Sequence, residues 1–366
     1  MDSGRNIARV FALAIPVLVA IAAVNMSVDP AHLFRGPALE KEAAALLATG
    51  NNVGGVGACD DRLLQRYVAE ARTEAPQTLV LGSSRTLCLS AKGLELPSLY
   101  NASVTEATLE DHEALLEIYA ERDLLPKRLI LGVDPWAFNA DNGLDGWLSL
   151  EQFQKAFSSR AGRADNGRPS RDLFSSLGRM SQAFSPSYLQ ASLEELSHRA
   201  SSKGDGRNQG EVWVAETEEG EEPIRHPDGS ISYAKSFRER SSATARAEAI
   251  AYASKFEKSF RLFSLVRPEW MQRFEDLLAF CRDQDIEVVL LLCPYHPQTF
   301  AGFLESPGLR MGEDAESLTR RLAARYDFTI VGSYDPTIAG VGEDDFLDAL
   351  HLRPEAANRL VSQGID

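Results

Sequence analysis

The sequence predicts an α/β protein: a doubly wound parallel sheet of about five strands, with an N-terminal transmembrane helix and a polar insertion. Three observations carry this reading. The short runs at 78–81, 129–133 and 287–292 are almost wholly apolar, as suits strands buried on both faces. They alternate with stretches whose apolar residues recur at helical spacing, the pattern of strand–helix–strand units. Each run stops at small or polar residues, and in an open parallel sheet such loops at the carboxyl ends of strands line the ligand crevice.

In chain order, no charged residue stands between Val10 and Val28. As a helix this stretch of about 19 residues rises roughly 28 Å, close to the ~30 Å hydrocarbon core of a bilayer. Arg5 and Arg9 precede it and Asp29 comes after it, so the positive-inside rule puts the N-terminus in the cytoplasm and the rest of the chain in the periplasm or outside. Pro16 is a tolerated kink in a span. The small residues around Ala20-Ile21-Ala22 also suit a cleavage site, so the run reads as a retained single-pass anchor or as a removed export signal. Both readings export the remainder of the chain. The organisation is then an anchor at 1–30, a juxtamembrane segment and helix at 31–75, and a domain at 76–366 carrying an insertion at about 140–245.

Asp29-Pro30 and Pro37 mark a turn, 38–48 reads as a short helix ending at Gly50, and Gly54, Gly55 and Gly57 read as a flexible link. Helical spacing of Leu63, Leu64, Tyr67, Val68 and Ala71 predicts a helix over 61–75, stopped by Pro76. The strand at 78–81 comes next, then a second at 99–103, an amphipathic helix at 109–122, and a third strand at 129–133. The insertion is rich in Ser, Gly, Asn and Arg, with solvated stretches at 201–206 and 216–222. Within it His226-Pro227-Asp228-Gly229 reads as a hairpin turn opening a short strand. The insertion could cover the crevice, bind a partner, or be a disordered loop. Helices at 245–265 and 268–283 lead to a fourth strand at 287–292. A helix at 318–326, a fifth strand at 328–331 and a closing helix at 354–361, entered by Pro354, complete the domain.

A net charge of −15 and a pI near 5.0 exclude a nucleic-acid or anionic-membrane surface, either of which demands a basic footprint. Cys59, Cys88, Cys281 and Cys293 fit no zinc spacing. In an exported chain they are either buried free thiols or disulfides in one of three pairings. Cys59 and Cys88 flank the first strand, Cys281 and Cys293 the fourth.

The chemistry gathers at strand ends. Gly82-Ser83-Ser84-Arg85 succeeds the first strand, where glycine lets the chain turn sharply and a subsequent helix offers free N–H groups to negative charge. A serine there either caps a helix or acts as a nucleophile. After the last strand, Asp348 stands three residues before His351, a spacing that brings both to one face of a turn. The histidine can then take a serine proton while the aspartate fixes its tautomer. Asn101, Asp134 and His296 also stand just after strands. Asn101 is a turn cap or a site amide, Asp134 steadies the loop or caps the turn before Pro135, and His296 is a substrate contact, a rival base or a loop histidine. Trp136 and Phe138 are pocket walls or packing.

Together these blocks resemble the SGNH, or GDSL-like, hydrolases and acyltransferases, whose nucleophile lies in an early Gly-Asp-Ser block and whose base lies in a late Asp-x-x-His block. The resemblance covers roughly 76–140 and 270–362. It is nearest to membrane-anchored, extracytoplasmic members similar to the D-alanine-transfer and alginate O-acetylation proteins, which often carry Gly-Ser-Ser. It implies a flavodoxin-like strand order, Ser84 as nucleophile, His351 as base and Asp348 as its orienting partner. Gly82, Arg85, Asn101, Asp134 and His296 become candidates for oxyanion or substrate binding. The second block lacks the family's glycine, and Asp134 stands where an oxyanion asparagine belongs, although Gly132 matches the third block's first position. The resemblance further implies acyl transfer to or from a polysaccharide, a membrane-bound O-acyltransferase partner, and no metal or organic cofactor. A non-catalytic glycan-binding or assembly protein is the alternative that the departures recommend. A periplasmic lipase would require a more apolar lid.

Overall fold

A computed structural model of the protein describes residues 2–28, 36–139, 142–163, 211–259, 268–304 and 308–365, with isolated positions between 184 and 196. The chain forms two compact units, one of residues 1–39 and 166–212, the other of 40–165 and 213–366.

The second unit is built on a five-stranded, all-parallel sheet. Its strands are β2 (Thr78–Leu81), β3 (Leu99–Asn101), β4 (Arg128–Gly132), β8 (Glu287–Leu292) and β9 (Thr329–Gly332), in the order β3-β2-β4-β8-β9. Taken in chain order this is 2-1-3-4-5, which fits a doubly wound α/β fold. The order reverses between β2 and β4, the switch point outside which open α/β sheets bind their ligands. In-register pairs Leu79↔Leu129 and Leu129↔Val288 run through the sheet centre. Val80, Ile130, Val289 and Val331 point to one face, packed with Leu89, Phe346, Leu352, Ala356 and Leu360. That packing fixes the loop after β2 and the 346–352 loop on the same core. Fully burying side chains of this size contributes roughly 1.5–3 kcal/mol each.

Most expected elements form, with instructive exceptions. Gly54 is no link: β1 (Val53–Gly54) joins β5 (Trp213–Val214), β6 (Ile224–Arg225) and β7 (Ile231–Ser232) in a small antiparallel sheet ordered β5-β1-β6-β7. The helix expected at 61–75 is Asp61–Ala71; Asp60 caps its start, and Arg72 leaves it in an extended conformation. The helix Leu109–Glu121 is buried along most of its length instead of presenting a solvated face. Its carboxylates are matched by arginines from other elements: Asp111 by Arg62, Glu117 by Arg160, Glu113 by Arg163 and Arg273, and Glu110 also by Arg273. Such pairs are costly to break because the survivor is a buried, uncompensated charge. Ser242–Ser259 and Pro268–Asp283 are helical, and Gly308–Tyr326 begins well before the expected residue 318. Helix Pro297–Leu304 was not expected. The turn at 29–30, the stretch 201–206 and the end of the 245–265 helix lie outside the described residues. Residues 216–222 are exposed, as their charge requires.

The four cysteines are free thiols, and burial pushes each up to about 12, so none is poised as a thiolate.

In the first unit, helix Asp2–Val28 contains the apolar run. Asn25 near its end is buried, donating to the Ser185 carbonyl at 3.2 Å and accepting from Ser192 Oγ at 3.2 Å. Ile15, Val17, Leu18, Val19 and Met26 are exposed. Among the described residues no helix is long and apolar enough to cross a membrane.

Candidate active site

The loop after β2 is shaped by what lies beneath it. A Cβ on Gly82 would lie 2.4 Å from Thr86 Oγ1, and one on Gly132 of the neighbouring strand 2.8 Å from Thr86 Cγ2. Two glycines thus admit Thr86 under the turn, where its hydroxyl lies 2.9 Å from the Ser83 carbonyl, to which it donates, and 2.8 Å from Ser103 Oγ. Gly82 is a space-maker, with no left-handed backbone. The two serines divide the work. Ser83 is fully buried and its hydroxyl accepts from Arg85 N–H at 3.2 Å, a local turn cap, whereas Ser84 is only partly buried.

The late loop meets it. Phe346 and Leu352 form an isolated bridge, and Leu347 N–H donates to the His351 carbonyl at 2.8 Å, closing a tight turn. Within it Asp348 Oδ1 accepts from the N–H groups of Leu350 and His351, each at 2.8 Å. The carboxylate lies 3.0 and 2.9 Å from His351 Nδ1, and His351 Nε2 lies 2.9 Å from Ser84 Oγ. An ionised carboxylate only accepts, so Nδ1 carries the proton and Nε2 is the acceptor for the Ser84 hydroxyl. Burial pushes the Asp348 carboxyl up, but the hydrogen bond and charge of His351, with the two backbone donors, outweigh it and hold it below the usual carboxylate value. Ser84, His351 and Asp348, which the sequence spacing suggested, form one continuous hydrogen-bonded chain.

The other expected site residues have different work. Arg85 is buried beneath the loops. It pairs with Asp134 Oδ1 at 2.9 Å and donates to the carbonyls of Cys293 at 2.5 Å, Pro294 at 2.7 Å and Leu350 at 3.3 Å, with Tyr295 stacked against it at 4.3 Å. It pins the ends of β4 and β8 and the histidine loop to the nucleophile turn and has no surface for substrate. Asp134 is its counter-ion. Asn101 spends its amide on the carbonyls of Thr86 at 2.8 Å and Leu89 at 2.9 Å while its Oδ1 accepts from Ser103 N–H at 3.0 Å. It is a staple for the loop, with no donor left for an oxyanion. His296 is fully buried; its backbone N–H donates to the Ala349 carbonyl at 3.2 Å and its Nδ1 accepts from Gln298 N–H at 3.1 Å. Burial lowers its pKa, its backbone N–H braces the histidine loop, and its buried Nε2 has no hydrogen-bond partner among the described residues. Trp136 donates to the Ala107 carbonyl and Phe138 packs edge-on against Phe274, so both are packing.

An oxyanion therefore has few donors. The N–H groups of Ala102, Ser103 and Val104 are all engaged, whereas Ser84 N–H makes no hydrogen bond among the described residues. Among the described residues no three or more His, Cys, Asp or Glu side chains cluster in a way that could hold a metal ion.

The sequence reading missed Tyr233 and Phe237, which stand just after β7 in the insertion. Tyr233 donates to the Ser84 carbonyl at 2.8 Å, and both rings lie 6.2 Å from the His351 ring. Burial raises the Tyr233 hydroxyl well above its ordinary value, keeping it protonated as a donor. The Asp228-Gly229 turn carries them there: Asp228 accepts from Asn101 N–H at 2.7 Å and Ala91 N–H at 2.8 Å. A Cβ on Gly229 would lie 2.1 Å from the Asn101 carbonyl oxygen, so only glycine permits this docking. The hairpin signal was legible, but nothing in it said which loop the hairpin meets. No protein-family model matches this chain, and a comparison with curated proteins finds no match.

Proposed function

We propose that the protein is a serine acyltransferase or esterase that works through an acyl-serine intermediate. The observation that carries this is the chain from Ser84 Oγ through His351 to Asp348, with contacts of 2.9 Å on each side of the imidazole. Ser84 Oγ attacks the acyl carbonyl and its proton passes to His351 Nε2. Asp348 stabilises the imidazolium, and Ser84 N–H faces the developing oxyanion. Collapse expels the donor's leaving group, which takes the proton back from His351. In the second half an acceptor hydroxyl, or water, gives its proton to His351, attacks the acyl-serine and regenerates Ser84.

The resemblance to SGNH hydrolases and acyltransferases extends this reading to O-acetylation or deacetylation of a polysaccharide. It also suggests a membrane-bound O-acyltransferase that delivers the acyl group. The uncharged run 10–28 supports an exported chain anchored at the inner membrane by its N-terminus, a reading that rests on the sequence. Labelling of the full chain in detergent with a fluorophosphonate tests the nucleophile: label on Ser84, lost in Ser84→Ala and slowed in His351→Ala, is expected. A folded wild-type chain that takes no label contradicts the proposal.

One observation favours a second reading, a non-catalytic glycan-binding or assembly protein. Asn101 and Asp134 are committed elsewhere, and removing one oxyanion donor costs a hydrolase about 10²–10³ in rate. Under that reading Ser84→Ala leaves cellular function intact.

A further inference from the structure

The segment 233–240 adds no strand to the five-stranded sheet, yet it is held firmly against the site. Arg353, two residues beyond His351, donates to the carbonyls of Arg238 at 3.1 Å and Arg240 at 2.6 Å, and Arg238 Nε donates to the Tyr233 carbonyl at 2.7 Å. The arm and the histidine loop therefore hold a fixed relation. The Tyr233 and Phe237 rings contact each other at 5.2 Å, and each meets the His351 ring steeply, with interplanar angles of 62° and 74°. Phe237 is only half-buried, although the Arg240 guanidinium lies 4.5 Å from its centroid.

We propose that this aromatic arm is the acceptor side of the site, with Phe237 as the platform for an acceptor that carries its hydroxyl on a sugar ring. The inference rests on the acyl-serine reading above and deepens it. The attacking O–H must come within about 2.6–3.2 Å of His351 Nε2, so the body of the acceptor lies beside the imidazole, where these rings stand. Water gains nothing from such walls. A pyranose presents a face of C–H groups that packs on an aromatic ring, while its remaining hydroxyls stay in solvent. Tyr233 acts as a positioning residue: its hydroxyl holds the Ser84 carbonyl, and so the nucleophile, against the same wall.

The test uses the full chain in detergent with p-nitrophenyl acetate as donor. Methyl β-glucopyranoside and glycerol, at equal hydroxyl concentration, are the competing acceptors. Two quantities are read: the burst of nitrophenol that reports acyl-serine formation, and the ratio of acetylated glucoside to acetylated glycerol. The wild type is expected to favour the ring acceptor. Phe237→Leu should lower that ratio about three- to tenfold, the worth of one aromatic contact; the ratio compares two acceptors for the same acyl-serine, so it is read whatever the size of the burst. Phe237→Tyr should restore it. An unchanged ratio in Phe237→Leu overturns the platform alone, whereas a folded wild type that gives neither a burst nor an acetyl adduct on Ser84 overturns the acyl-serine reading together with it.

Discussion

Replacing Arg85 with methionine removes the pin that gathers four loops. The guanidinium and Asp134 carboxylate are almost completely buried, with 1% and 5% of their side-chain surfaces exposed. Breaking a buried pair from one side costs about 3–5 kcal/mol, because the remaining charge is left without a partner. The carbonyls of Cys293, Pro294 and Leu350 lose their donor as well, each worth roughly 1 kcal/mol. A loss of about 5 kcal/mol or more is expected, read as a fall in thermal midpoint on the order of 10 °C. Asp134→Asn in the same background removes the stranded charge and should recover about 2 kcal/mol, a coupling that a double-mutant cycle isolates. The assay is thermal or urea unfolding of the full chain, monitored by intrinsic fluorescence. An Arg85→Met chain within about 1 kcal/mol of wild type, or a double variant no more stable than the single, would refute the pin and return Arg85 to a substrate-binding role.

The same geometry yields two further outcomes. Asn101→Ala should cost about 2–3 kcal/mol, since several carbonyls and the Ser103 N–H lose partners; kcat lost at full stability, measured on folded protein, would instead mark an oxyanion amide. The Asp348 carboxyl is held low in the fold, so its contribution to stability is present above its unfolded value of about 3.9 and disappears as pH falls through the lower folded value. Asp348→Asn should therefore flatten the acid limb of a stability-against-pH curve, and an unchanged limb contradicts the assigned hydrogen bonds.

How much of this was legible in the sequence depended on where each residue's partners lie. The strands were readable because Leu79, Val80, Leu129 and Ile130 are buried on both faces of the sheet and so must all be apolar. Ser84, Asp348 and His351 were readable because a turn's end and a three-residue spacing are local features. Arg85, Asn101, Asp134 and His296 also stood at strand ends, but position alone could not show their roles. Their roles are set by carbonyls of loops far away in the chain, such as Cys293 and Ala349, which leave no mark on neighbouring residues. The helix Leu109–Glu121 misled for a related reason: Glu113 and Glu117 suggest a solvated face until Arg163, Arg273 and Arg160 are brought to them. Tyr233 and Phe237 come after a recognisable hairpin, but only tertiary docking on Asn101 turns that hairpin toward His351.

The most direct test of the central claim is intact-mass measurement of the full chain after brief exposure to p-nitrophenyl acetate, with peptide mapping of any adduct. One acetyl replacing a proton adds about 42 Da, and that increment is expected on Ser84, absent in Ser84→Ala and formed far more slowly in His351→Ala. An adduct on another residue, or none on a chain shown to be folded, would contradict it.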